Sequence, residues 1–141
     1  MFNATHFHPM TVHFPVALIM VGFLAELLSL FFKKEAWLSK ASLWLMILGS
    51  LGAIVSYLTG EYFTVEYTGK AGDLKETHEL FAKITMWVII AATLIRLFLS
   101  YLKKDESNIK WMVFILYFIA ALSVAITGFL GGSLVYNYLI K

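Results

Sequence analysis

The chain has 141 residues, of which 60% are apolar and 16% aromatic, and its mean hydropathy is +0.80. This composition lies outside the range of soluble domains and indicates a single-domain polytopic membrane protein. The net charge of +2 is too small to indicate nucleic-acid binding, and the lack of cysteine excludes disulfides, iron–sulfur clusters, thiolate zinc sites and covalently attached c-type haem.

The first apolar run predicts a membrane-spanning helix over residues 12–32. At about 1.5 Å per residue, this length crosses a hydrocarbon core of about 30 Å. No basic segment precedes the run and no small-residue cleavage site follows it, so we expect a retained helix. Pro9 suits the first turn of a helix, and Pro15 predicts that the helix starts or kinks near it.

Three further apolar runs predict helices over residues 38–59, 78–102 and 111–134, which gives an all-α, four-helix membrane bundle. The polar stretch over residues 61–79 is interpreted as a solvated loop. Small residues recur every three or four positions along the second and fourth helices, a pattern typical of close helix packing and also compatible with a cofactor crevice. They are Gly49, Gly52, Ala53, Ser56 and Gly60, and Ala121, Ala125, Gly128 and Gly132.

Lysines are concentrated in two short loops, the first and the third. The positive-inside rule places these loops in the cytoplasm. The chain is therefore predicted to be a multi-pass protein of the inner membrane with both termini outside, and all four histidines lie at the outer end. The loop lysines are Lys33, Lys34 and Lys40, and Lys103, Lys104 and Lys110.

The two halves of the chain share a pattern. His13 and His78 each open the first helix of a hairpin, a Lys-Lys turn follows, and the second helices contain Thr59-Gly60 and Thr127-Gly128. This pattern predicts two parallel helix-hairpin repeats related by an approximate two-fold axis along the membrane normal, although independent hairpins of similar length would look alike. In this alignment His13 and His78 face each other across the bundle.

Facing imidazoles in a helix bundle are suitable axial ligands of haem iron. The leading hypothesis is a b-type haem bound by His13 and His78 near the outer face, which exchanges electrons with an external, cytochrome-like partner. His6 and His8 are expected to lie outside the helix. Lys83 and Tyr136 are candidate partners of the haem propionates, as are Lys70 and Lys75, and the alternative axial ligands are Met20 and Met86.

Two other functions remain open. A zinc, copper or iron ion bound by His8, His13 and His78 would use ligands that suit all three metals. A non-catalytic membrane subunit or scaffold would instead dock an external partner through its polar outer end. The sequence decides neither whether the protein is an enzyme nor whether it forms a homo-oligomer, and the lipid bilayer is the partner that its composition requires.

Arg96 lies inside the third predicted helix, five helical turns after His78. Because the interval is a whole number of turns, both side chains share one face of the helix. Intramembrane arginines face the bundle interior or a polar cavity, and Glu26 lies at a depth where it can pair with Arg96. The alternative is an arginine that extends to the cytoplasmic interface.

Four motifs, spread over nearly the whole chain, resemble a family of small bacterial four-helix membrane proteins known only as a domain of unknown function. The resemblance implies the same four-helix fold. In such families similar modules are joined to cytochrome-c-like domains, which implies a redox setting and favours haem. The motifs are His8-Pro-Met-Thr-Val-His-Phe-Pro15, Thr59-Gly-Glu-Tyr62, Glu76-Thr-His-Glu79 and Gly131-Gly-Ser-Leu-Val-Tyr136.

Overall fold

A computed structural model describes residues 7–103 and 108–139, which form five α-helices and a π-helical turn. Within these residues, four stretches are long and apolar enough to cross a membrane, because α1 and α2 together make one of them. The predicted all-α, four-helix membrane bundle is confirmed. The elements are α1 (Phe7–Thr11), α2 (His13–Phe31), α3 (Ala36–Phe63), α4 (Lys70–Tyr101), α5 (Ile109–Leu134) and the π-helical turn Val135–Leu139.

The first membrane segment is interrupted at Val12, between α1 and α2. Proline lacks an N–H, so Pro15 cannot donate to the carbonyl of Thr11 four residues earlier. Pro9 and Pro15 each lie in the first turn of their own helix, where this donor is not needed. The predicted start or kink near Pro15 is therefore present, three residues earlier than Pro15 itself.

The interpretation of residues 61–79 as a solvated loop is wrong. α3 continues to Phe63 and α4 begins at Lys70, so only a six-residue turn separates them. Gly69 in this turn has a φ of +64°, which glycine adopts without strain. At 28 and 32 residues, the two helices are about 42 and 48 Å long and extend beyond a hydrocarbon core of about 30 Å.

Small residues on α3 bring it close to α2. A Cβ atom at Gly49 would lie 2.9 Å from Cγ1 of Ile19, and one at Gly52 would lie 3.3 Å from Cδ of Pro15. This confirms close packing as the role of the small face of α3. The corresponding prediction for α5 is only partly correct, because Ala121 is buried but Ala125, Gly128 and Gly132 are exposed.

The two helix hairpins repeat each other. α2 and α4 end 70 residues apart, at Phe31 and Tyr101, and α3 and α5 end 71 residues apart, at Phe63 and Leu134. The fully buried Ile19 and Ile89 are separated by the same interval as the ends of α2 and α4, as two-fold equivalent positions should be. These intervals are the ones that the predicted repeat requires.

The alignment of the repeat differs from the predicted one. The offset between α2 and α4 matches His78 with His8, and the offset between α3 and α5 matches Thr127 with Ser56. His13 is five residues beyond His8, about 140° further around a helix, and it is exposed. The short motifs around His13 and Thr59 resemble those around His78 and Thr127. However, the matching motifs do not lie at equivalent positions of the two hairpins.

Glu26 and Arg96 form an ion pair inside the bundle. Nη1 of Arg96 lies 3.4 Å from Oε1 of Glu26, and both side chains are only 4% exposed. Nη2 of Arg96 donates to Oγ of Ser39 at 2.5 Å. The predicted pair is confirmed, and Arg96 does not extend to the interface as the alternative required.

Candidate functional site

His8 lies on α1 and packs against α3. Its Nδ1 is 3.2 Å from Oγ1 of Thr59. A Cβ atom at Gly60 would lie 3.0 Å from Cε1 of the ring, so glycine at this position lets the imidazole rest on the helix backbone. His8 is thus part of a helix and half-buried, contrary to the prediction that it lies outside one.

His78 lies on α4 and packs against α5 in the same manner. Its Nδ1 is 3.0 Å from the backbone carbonyl of Thr127. A Cβ atom at Gly131 would lie 3.1 Å from Cε1 of the ring. In both hairpins the histidine ring therefore rests on a glycine of the helix that it packs against.

The two rings meet near the axis of the bundle. The ring centroids of His8 and His78 are 6.2 Å apart, and the ring planes are nearly perpendicular at 84°. The pair contains one histidine from each hairpin, at equivalent positions of the repeat. Each hairpin therefore contributes one imidazole to the pair.

The contacts of each ring indicate which nitrogen carries the proton. A carbonyl oxygen only accepts, so Nδ1 of His78 donates to Thr127. Thr59 donates to the carbonyl of Ser56 at 3.0 Å, so its oxygen accepts from Nδ1 of His8. We assign the Nδ1–H tautomer to both rings, which leaves the lone pair of each Nε2 available to a ligand.

A group of charged residues lies beside the histidines. Nζ of Lys75 is 2.7 Å from Oε1 of Glu66 and 3.2 Å from Oε1 of Glu79, the residue after His78. The lysine side chain is 9% exposed, so both carboxylates contact a cation that is largely removed from solvent. These ion pairs connect the turn after α3 to the first turns of α4.

The other predicted site residues do not join the two rings. His13 is exposed on the outer surface of α2, and Lys83 is exposed at the equivalent position of α4. Nζ of Lys83 lies 6.0 Å from the ring centroid of Tyr57. Tyr136 is 76% exposed on the π-helical turn. His6 lies outside the described residues.

Sequence reasoning chose His13 instead of His8, although a usable signal was present. Arg96 follows His78 by five helical turns, and Glu26 follows His8 by the same interval. On an ideal helix, this spacing places the histidine and the charged residue of each pair on the same face. Comparing both spacings would have identified His8.

Residues 7–103 and 108–139 do not contain a larger cluster of candidate metal ligands. In these ranges no group of three or more histidine, aspartate or glutamate side chains is placed to hold a metal ion. The predicted three-histidine site at His8, His13 and His78 is not assembled, because His13 faces away from the other two rings.

Comparison with known proteins gives the family of this chain. The model of a family described as predicted membrane protein (DUF2231) matches residues 4–141. The chain belongs to the DUF2231 family. This DUF2231 chain matches no curated protein and no solved structure. The family description agrees with the four membrane-length segments, and it names no ligand or activity.

Proposed function

We propose that the protein is a membrane-bound b-type haem-binding module for electron transfer, with His8 and His78 as the axial ligands. The observation that carries the proposal is the meeting of these two rings, one from each hairpin, with both Nδ1 atoms held by threonines. Haem iron accepts two axial imidazoles, and helix bundles are a common place to build such sites.

The distance between the rings suits a shared iron. A metal–nitrogen bond of about 2 Å on each side, plus about 1 Å from each nitrogen to its ring centre, gives centroids about 6 Å apart. The observed separation is 6.2 Å. No backbone movement is needed to bring the two imidazoles to this spacing.

The surroundings of the rings also suit ligands. Metal-binding histidines generally donate their other ring N–H to a carbonyl or carboxylate, which fixes the tautomer and the ring orientation. His78 has such a bond to the carbonyl of Thr127, and Nδ1 of His8 is held by the hydroxyl of Thr59. The buried hydroxyl of Ser56, three residues before Thr59 on α3, has no partner among the described residues, which leaves a polar atom on this part of α3 for a bound group.

The bound haem would supply one-electron exchange between ferric and ferrous iron. The chain would orient the two imidazoles, keep the proton of each on Nδ1 and exclude water from one side of the site. The lysine-rich loops favour an orientation with the histidines outside, in the inner membrane, where the partner would be an external cytochrome-like protein. Lys83 and Tyr136 remain candidate partners for the propionates at this end.

The test is an absorption spectrum of the protein purified in detergent from haem-sufficient cells. The oxidised and dithionite-reduced samples should show a Soret band and, after reduction, a sharp α band typical of low-spin b-type haem. Pyridine haemochrome analysis should give one haem per chain. Protein without these bands in either state would contradict the proposal and favour the non-catalytic subunit that docks an external partner.

A further inference from the structure

A cavity of about 370 Å³ lies at the end of the bundle opposite the histidines, between the end of α2, the start of α3, the end of α4 and the start of α5. Four cationic residues line it: Lys33, Lys40, Arg96 and Lys110. Among the described lining residues, the one acidic side chain is Glu35, whose Oε2 accepts a hydrogen bond from Nε1 of Trp37 at 2.9 Å.

The lysines give the cavity an excess of positive charge. Arg96 is balanced by Glu26, with which it forms the buried ion pair. Of the lining residues that the structure describes, the three lysines then face one carboxylate, that of Glu35. A smaller cavity of about 190 Å³ shares Lys33 and Lys110 with the first, so both cavities are basic on the same side. Like charges around one cavity repel each other, and a bound anion relieves this repulsion.

Hydroxyl groups add hydrogen-bonding capacity to the same walls. Ser29, Ser39 and Ser100 line the cavity together with the lysines. Ser39 already accepts from Arg96, and Ser29 donates to the carbonyl of Glu26 at 2.7 Å. The cavity therefore combines ammonium and hydroxyl groups, the side chains that commonly contact phosphate oxygens.

Aromatic residues mark the depth of the cavity in the membrane. Trp37 and Trp111 lie in the first turns of α3 and α5, and Tyr101 is the last residue of α4. Their side chains are 62%, 58% and 83% exposed. Exposed tryptophan and tyrosine at helix ends are typical of the membrane–water interface, where lipid headgroups lie. The cavity opens at these same helix ends.

We propose that this cavity binds the phosphate of an anionic membrane lipid, with Lys33, Lys40 and Lys110 as its charge partners. Basic pockets between membrane helices are known to accept such headgroups. Free phosphate has the same chemistry, but the interfacial position favours a lipid, because its acyl chains lie along the exposed apolar surfaces of the neighbouring helices. The site is separate from the histidine pair and does not depend on the haem proposal.

The test is native mass spectrometry of the detergent-purified full chain with phosphatidylglycerol or phosphatidylcholine. Phosphatidylglycerol should bind at least tenfold more tightly than phosphatidylcholine. The triple variant Lys33→Gln, Lys40→Gln, Lys110→Gln should lose this preference, and the matching triple change to arginine should keep it. The control Lys70→Gln, Lys83→Gln, at the opposite end, should bind like the wild type.

Single-lysine variants and a competition experiment with inorganic phosphate complete the test. If the triple glutamine variant does not fold, the single changes should each weaken phosphatidylglycerol binding several-fold. Inorganic phosphate at the same concentration should not displace the lipid, and complete displacement would overturn the assignment to a lipid. Equal binding of the two lipids, or full binding to lysine variants that retain the fold, would overturn the site itself.

Discussion

His8 and His78 occupy equivalent positions of the two hairpins, and their rings lie with centroids 6.2 Å apart and with nearly perpendicular planes. A site shared by the two hairpins presents one ligand from each side, which is the geometry that a single central ion requires. Each ring is also held from behind by a carbonyl or a threonine of the helix that it packs against. The histidine end of the bundle is therefore where we expect the chemistry of this protein.

The first prediction concerns the histidines. His8→Ala and His78→Ala should each abolish the low-spin bands, because each change removes one axial ligand. His13→Ala should retain them, since His13 is exposed on the outer surface of α2. The measurement is the reduced absorption spectrum of all three variants. Loss of the bands in the His13 variant, with normal spectra of the other two, would show that the axial pair is wrongly assigned.

The second prediction concerns the glycines beneath the rings. Gly60→Ala and Gly131→Ala would place a Cβ 3.0 and 3.1 Å from Cε1 of His8 and His78. We expect displaced rings, weaker haem binding and a loss of about 1–3 kcal/mol in the free energy of unfolding, as for other overpacked positions. Denaturant titration in detergent measures the loss.

Gly132→Ala is the matched control for these two variants. A Cβ at Gly132 meets nothing within 4 Å in the described structure. Gly132 lies next to Gly131 on α5. Its change to alanine should leave the spectrum unaltered and stabilise the protein by up to about 1 kcal/mol, because alanine favours the helix more than glycine does. Equal destabilisation by all three alanines would indicate a general effect of the substitution and would remove the support for ring contact.

The third prediction concerns the buried ion pair. Glu26→Leu or Arg96→Met alone leaves an uncompensated buried charge and should lower the free energy of unfolding by about 3–5 kcal/mol. The double variant should recover most of this loss, since no charge remains. A double-mutant cycle measured by unfolding in detergent gives the coupling. Additive losses in the double variant would show that the two charges do not stabilise each other.

The fourth prediction concerns orientation. The natural chain has no cysteine, so a single introduced thiol can be labelled selectively. Glu61→Cys, at the histidine end, should react with a membrane-impermeant maleimide in intact cells, whereas Lys34→Cys should react only after the membrane is opened. Both positions are exposed. The reverse pattern would place the histidines in the cytoplasm and exclude an external redox partner.

The four-helix membrane fold was predictable because a bilayer permits few alternatives. A spanning segment must satisfy its backbone internally and needs about 20 apolar residues, so hydropathy alone identifies it. The ends of the helices were less predictable. Outside the hydrocarbon core a polar stretch such as residues 70–79 can form a helix or a loop. In this chain it is helical, and its Lys75 pairs with Glu79 one turn later and with Glu66 in the connection after α3.

The histidine that lies next to His78 was not the one predicted from the sequence. A shift of five residues keeps a side chain near the same depth, about 7.5 Å away along the axis, but turns it by about 140°. His13 and His8 therefore look interchangeable in the sequence, whereas in space one faces outward and the other faces His78. The break at Val12 added a further change of phase that only the structure shows.

The ion pair between Glu26 and Arg96 joins equivalent positions of the two hairpins, 70 residues apart. A bundle built from two copies of the first hairpin would bring two carboxylates together at this level, and two copies of the second would bring two guanidinium groups together. Only the combination of unlike hairpins is electrically neutral there. The charges at this level therefore favour packing of each hairpin against its counterpart over packing against a second copy of itself.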